Sequence, residues 1–162
     1  MIAQIRIGQG LDVHAFEEGD FVTLAGIQIP HTQGLKAHSD GDVVLHALCD
    51  ALLGALALGD IGQHFPDTDP EFKGADSRVL LKDVYQLILD RGYHLNNADI
   101  TVACERPKLA KHNLAMRQSI ADVLDVDVTQ ISIKATTTEQ LGFTGRQEGI
   151  MSMATVLLSH SK

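Results

Sequence analysis

The sequence predicts an α+β fold: a mixed β-sheet with helices packed on one face. Three observations carry this. Several short segments alternate apolar and polar residues, the period of a half-buried strand. Longer stretches place apolar residues at helical spacing. Strands and helices do not alternate strictly, as a doubly wound parallel sheet would require. The 162 residues suit one domain, 1–162, with a real core.

Taken in order, Ile2 to Ile7 alternates and reads as a strand, Gly8 and Gly10 break it, and Leu11 to Phe16 resumes extended. Phe21 to Leu24 and Ile27 to Ile29 form a hairpin turning at Ala25-Gly26. Gly41 to Leu58 is a helix apolar nearly all round, so it is expected to be buried on most faces, with Ser39 and Asp42 in capping-box spacing at its start. Gly59 to Gly74 is an irregular loop, long enough inside a compact domain to suggest function. Asp76 to Arg91 is amphipathic, with Leu80, Val84, Leu87 and Ile88 on one face, and Gly92 ends it. Ile100 to Cys104 is a strand, and Lys108 to Leu124 is a helix turning Met116, Ile120, Val123 and Leu124 inward. Ile131 to Ala135 and Met151 to Leu158 complete the set as strands.

Composition removes several functions. Thirteen Lys and Arg against twenty-one Asp and Glu leave a net charge of −8, which argues against nucleic-acid binding. A phosphate-rich ligand would need local help from a metal, a helix N-terminus or the few cations. The longest apolar run, Val43 to Leu58, is too short to span a bilayer. No basic segment followed by an apolar stretch opens the chain, and Cys49 and Cys104 sit in apolar runs as small core residues of a reducing compartment. A cytoplasmic protein is the resulting expectation.

The chemistry concentrates in Asp12-Val13-His14 and in the stretch from His38 to His46. Asp-x-His on an extended segment turns both side chains to one face. Two imidazoles and one carboxylate make a three-ligand set for a zinc ion, with a fourth position open to a substrate oxygen. A hydrogen-bonded pair at a strand end is the alternative for Asp12 and His14 alone. Asp42, His46 and Asp50 then form a polar stripe on an apolar helix, costly to bury without partners. A metal shared with Asp12 and His14 satisfies it, with Asp50 orienting a ligand histidine. Ser39 is expected to cap the helix and His38 to sit near its N-terminus, where both could meet phosphate. Asp40 and Asp42 are first-turn acids with no assigned chemistry. Lys134-Ala135-Thr136-Thr137-Thr138-Glu139, followed by Gly142-Phe143-Thr144-Gly145-Arg146, gathers hydroxyls, a carboxylate and two cations around glycines, which suits a phosphorylated ligand and a divalent ion.

Together, Gly8-x-Gly10-x-Asp12-Val13-His14, Ala37 to Val43, Gly59-Asp60-Ile61-Gly62 with Phe65-Pro66-Asp67-Thr68-Asp69, and Lys134 to Glu139 with Gly142 to Arg146 resemble the 2-C-methyl-D-erythritol 2,4-cyclodiphosphate synthase family over nearly the whole chain. The resemblance implies a homotrimer whose sheets face the three-fold axis, with active sites between subunits. It implies conversion of 4-diphosphocytidyl-2-C-methyl-D-erythritol 2-phosphate to the 2,4-cyclodiphosphate and CMP, in the non-mevalonate isoprenoid pathway, without a protein nucleophile. By the same resemblance Asp12, His14 and His46 are zinc ligands, and Glu139 holds a second divalent cation, magnesium or manganese. His38 and Thr137 stabilise charge on the transferring phosphorus. Ser39 is a substrate-binding residue, and Asp60, Ile61, Gly62, Phe65, Pro66, Asp67, Thr68 and Asp69 surround the methylerythritol. Cys104, Lys108, Leu109, Ala110 and Thr136 to Glu139, Thr138 included, form the cytidine and phosphate pocket, and Phe143 and Arg146 lie near the substrate or the trimer axis. Gln9, Leu11 and Arg106-Pro107-Lys108-Leu109-Ala110 depart from the family's usual residues. Two rival readings are a zinc-dependent phosphohydrolase and a non-catalytic trimeric binder of isoprenoid diphosphates.

Overall fold

The computed structural model describes residues 4–161; Ile2 and Ala3, the start of the expected first strand, lie outside them. A five-stranded sheet runs β4-β1-β7-β5-β6, made of β1 (Ile5–Glu17), β4 (Gly34–Leu35), β5 (Tyr93–Ala103), β6 (Ile131–Thr136) and β7 (Gly149–His160). Only β5 and β6 pair in parallel, so the sheet is mixed as expected. A separate hairpin joins β2 (Phe21–Leu24) to β3 (Ile27–Pro30). The helices are α1 (Val43–Ala55), α2 (Ile61–His64), α3 (Ser77–Leu89), α4 (Asn113–Leu124) and α5 (Gly142–Gly145). The last expected helix therefore starts later than Lys108, after a 3-10 turn at Ala110–His112. The expected loop contains α2 and a 3-10 turn at Pro70–Phe72, capped by Asp60 and Asp69.

The sheet is two-faced, as the strand alternation requires. Ile150, Ala154, Val156 and Leu158 of β7 and Leu95, Ala98, Ile100 and Val102 of β5 point into the core. The opposite face carries Ile7, Leu11, Val13 and Met153, of which Ile7 is 72% exposed. Helix α1 lies against the inner face and buries eleven of its thirteen residues; it packs between β1 and β7 on one side and α3 on the other.

Two features deliver α1 to the sheet. Gly8 and Gly10 do not break β1, which is continuous from Ile5 to Glu17. They stand where the helix backbone presses on the strand: a Cβ on Gly8 would lie 1.9 Å from the Ala51 carbonyl oxygen, and one on Gly10 2.0 Å from that of Ala47. Side-chain absence here permits close approach rather than flexibility. The helix start is fixed by Asp42, not by Ser39. The Asp42 carboxylate accepts from Leu45 N at 3.0 Å as the N-cap, and from Ala25 N at 2.9 Å and Gly26 N at 2.7 Å. Both turn residues have positive φ, so the buried carboxylate also clamps the strained hairpin turn. Burial raises its carboxyl to about 6, against the pull of those amides.

Candidate metal centre

Asp12 and His14 project from the inner face of β1, and α1 brings His46 down onto them through the glycine contact. Asp12 Oδ2 lies 3.1 Å from His14 Nε2 and 3.1 Å from His46 Nδ1, and the two nitrogens are 3.5 Å apart. One donor atom from each side chain falls within 4.8 Å of the others. A carboxylate and two imidazoles at this spacing fit a tetrahedral zinc site with one position left for a ligand. The two histidines offer opposite nitrogens. His14 Nδ1 donates to the Lys36 carbonyl oxygen at 3.0 Å, leaving Nε2 toward Asp12. His46 contacts the Ser77 hydroxyl through Nε2 at 2.9 Å, leaving Nδ1 toward Asp12. Burial alone would raise the Asp12 carboxyl, yet the His14 and His46 rings beside it hold it down at about 2. The Asp12 hydrogen bond raises His14 in turn, against its burial.

The centre opens into a cavity of about 800 Å³ lined by His38, Ser39, Ile61, Gly62, Phe65 and Asp67, with Lys36 and Lys73 at its edge. His38 is exposed there, and Ser39 Oγ is 3.4 Å from His46 Nε2. Asp60 is the exposed N-cap of α2, while Pro66, Thr68 and Asp69 flank the wall. Asp50 does not orient a ligand histidine. Its Oδ1 accepts from Ile61 N at 2.9 Å, which fixes the start of α2 and so the wall itself.

The remaining expected residues gather elsewhere. Thr136, Thr137, Thr138 and Glu139 leave the end of β6, and the Cys104 amide, at the start of the segment that carries Lys108, Leu109 and Ala110, donates to the Thr136 carbonyl at 3.0 Å. A smaller cavity, about 310 Å³, is lined by Leu109, Ala110, Asn113, Met116, Ile133 and Ala135. Glu139 and Gln140 both adopt left-handed backbone, φ 54 and 63. The Glu105 carboxylate holds this turn by accepting from Thr138 N at 3.3 Å and Gln140 N at 3.1 Å. Glu139 is exposed, and Thr137 Oγ1 donates to its Oε1 at 3.5 Å. The Cys104 thiol is turned to the Pro107 carbonyl at 3.6 Å, and burial pushes it up to about 11, so it offers no thiolate. Arg146 pairs with Glu148, and Phe143 lies at the surface.

These two clusters do not meet within one chain. Asp12 is registered with Ser152, Ser152 with Val102, and Val102 with Ala135. Three strand spacings, about 14 Å, separate the strand carrying Asp12 from the strand that delivers Thr136 to Glu139. Glu105 and Ser77 are not singled out by sequence reasoning, and Asp40 reads there only as an acid of the first helical turn. A lone acid after a strand and a serine at a helix start carry no pattern that marks them.

Comparison with known proteins gives a consistent picture. The YgbB family profile matches residues 5–159. The 2-C-methyl-D-erythritol 2,4-cyclodiphosphate synthase of Acinetobacter baumannii strain AYE is 90% identical over 160 residues, spanning 99% of this chain and 100% of that protein. The structure of the bifunctional IspDF from Campylobacter jejuni superposes with a TM-score of 0.95 at 50% identity, covering 99% of this chain and 43% of that longer one. The Plasmodium falciparum IspF CDP complex superposes with a TM-score of 0.87 at 34% identity over 100% of both chains.

Proposed function

This chain belongs to the YgbB family, and from that premise we infer that it carries out the reaction for which its Acinetobacter baumannii relative is named. It converts 4-diphosphocytidyl-2-C-methyl-D-erythritol 2-phosphate to 2-C-methyl-D-erythritol 2,4-cyclodiphosphate and CMP, a step of isoprenoid biosynthesis. The observation that carries the reading is the Asp12, His14 and His46 cluster at the floor of a cavity large enough for a sugar phosphate.

The chemistry needs positioning more than a protein nucleophile. An oxygen of the substrate's 2-phosphate forms a bond to the β-phosphorus, and the bond from that phosphorus to the oxygen bridging the CMP phosphate breaks. CMP leaves with the electron pair. Folding the chain of the substrate so that its two ends meet removes most of the entropic cost. Asp12, His14 and His46 would hold zinc, and Glu139 a second divalent cation, magnesium or manganese; cations so held supply Lewis-acid charge opposite the diphosphate oxygens. His38 and Thr137 donate to the phosphoryl oxygens. Ser39 meets phosphate, and Asp60, Ile61, Gly62 and Phe65 to Asp69 hold the methylerythritol end. The segment Cys104 to Ala110, with Lys108, and Thr136 to Glu139 bind the cytidine and its phosphate, with Phe143 and Arg146 beside them. The CDP complex of the Plasmodium falciparum protein supports a cytidine-diphosphate-linked ligand.

We place the two clusters of one site on neighbouring copies in a homotrimer. Their separation across the sheet supports this, as does the exposed apolar face of Ile7, Leu11, Val13 and Met153, which suits sheets facing a three-fold axis. We assign the protein to the cytoplasm, which agrees with the lack, among the described residues, of any helix long and apolar enough to cross a membrane.

Incubation of the pure protein with the diphosphocytidyl substrate, zinc and magnesium tests the reaction by phosphorus NMR. A cyclic diphosphate with stoichiometric CMP is expected. Linear phosphates would establish a phosphohydrolase instead, and binding without turnover a non-catalytic module.

A further inference from the structure

We propose that Ser77 and Asp40 are positioning residues for the metal centre, acting through His46. They determine which nitrogen of its ring carries hydrogen, and therefore which one is free to meet a cation. The inference rests on the metal-centre reading above.

The hydrogen bonds leave one consistent direction. The Asp40 carboxylate accepts from Ser77 N at 2.9 Å through Oδ2, and from the Ser77 hydroxyl through Oδ1. A carboxylate only accepts, and a serine hydroxyl has a single hydrogen. With that hydrogen given to Asp40, Ser77 Oγ can only accept from the ring nitrogen 2.9 Å away, His46 Nε2. The ring therefore carries its hydrogen on Nε2. Nδ1 keeps its lone pair and faces Asp12 Oδ2 at 3.1 Å and His14 Nε2 at 3.5 Å. The relay lies in the cavity wall, with Ser77 1% exposed and His46 8%. Ser39 Oγ, 3.4 Å from the same nitrogen, makes a longer contact than the Ser77 hydroxyl at 2.9 Å.

Both ends of the relay are anchored in backbone. Asp40 also accepts from Asp42 N at 3.1 Å, at the residue that caps α1. Ser77 is the first residue of α3, held by its own amide to Asp40. The relay thus sets the ring by reference to the starts of two helices. His14 differs, since a carbonyl oxygen, that of Lys36, accepts from its Nδ1. Any residue at position 36 supplies that acceptor, whereas the His46 arrangement depends on two particular side chains.

The test uses zinc alone, measured by competition with a chelator, together with nitrogen-15 spectra of histidine-labelled, zinc-loaded protein. Wild type is expected to show His46 with hydrogen on Nε2, slow to exchange. Ser77→Ala is expected to weaken zinc binding 10- to 100-fold and to release that hydrogen to rapid exchange. Ser77→Thr, which keeps the hydroxyl, restores the slow exchange and most of the affinity. Asp40→Asn places an amide donor against Ser77 and frees the hydroxyl hydrogen to turn toward Nε2, so it shifts the ring signal and weakens zinc. Wild-type zinc affinity in Ser77→Ala overturns the relay while leaving the metal centre intact. Hydrogen on Nδ1 in wild type overturns it without any variant, should Ser77→Ala fail to fold. Failure of the wild type to take zinc overturns the metal-centre reading and the relay with it.

Discussion

The two clusters that we assign to catalysis are built in opposite ways. The metal cluster hangs from regular elements: Asp12 and His14 on a thirteen-residue strand, His46 on a thirteen-residue helix, with their donor atoms already in contact. The loop cluster hangs from a turn in which two successive residues are left-handed, and its Glu139 is exposed. Preorganisation in the first comes from packing of backbone on backbone at Gly8 and Gly10. In the second it comes from hydrogen bonds within and across the turn, among them those to the Glu105 carboxylate and those of the Thr138 hydroxyl with Leu141 and Thr144. One half is thus assembled within the single chain, and the other leaves the sheet three strands away from it. That division is what a site shared between copies requires.

Changes to the two halves should separate accordingly. The largest effect is expected from His46→Ala, which removes a ligand while the surrounding core stays packed. Turnover should fall about 10³-fold or more and zinc content should vanish, with circular dichroism unchanged; unfolding of this variant at room temperature would make the ion structural instead. Gly10→Ala attacks the same half through its packing. With a Cβ 2.0 Å from the Ala47 carbonyl, helix and strand must part, and denaturant titration should show a loss of about 3 kcal/mol together with weaker zinc binding. Glu105→Ala should leave zinc content untouched and act on the other half alone. Each left-handed residue costs about 1–3 kcal/mol to hold, so release of the turn should lower turnover about tenfold, equivalent to about 1.4 kcal/mol. A normal rate in this variant would mean that the turn is held by something else.

The smallest effect concerns the metal-free protein. Asp12 sits at about 2, below its usual 3.8. A lowered carboxyl stabilises the fold above its unfolded value, and that contribution disappears as pH falls from about 4 toward 2. His14 is raised above its usual 6.5, so it stabilises below that value and its contribution is lost as pH rises through the folded value. Both operate together between about pH 4 and 6.5, where chelator-treated protein should gain about 1–2 kcal/mol. Calorimetry across pH should show this maximum in wild type and its flattening in Asp12→Asn.

Legibility in the sequence also divided along physical lines. The hairpin at Ala25-Gly26, the buried helix α1 and the Asp12, His14 and His46 set could be read because side-chain type and period express them directly. The role of Gly8 and Gly10 could not: glycine signals a break locally, and only the helix lying across the strand reveals a contact surface. Asp42 was mistaken for an idle acid because its partners, Ala25 N and Gly26 N, are distant in sequence. Asp50 likewise looked like a partner of His46 by helical spacing, whereas the Ile61 amide was invisible until the loop folded. Ser77 and Asp40 form their link across 37 positions, which no local pattern announces.

The sharing of one site between two chains can be tested directly by mixing two inactive variants. His46→Ala lacks a working metal half, and Glu139→Ala lacks a working loop half. Coexpressed and assembled at random in one trimer, they should rebuild about a quarter of the sites and recover a corresponding fraction of wild-type turnover. Mixed trimers that form but remain as inactive as either parent would place both halves of each site in the same chain and contradict the shared centre.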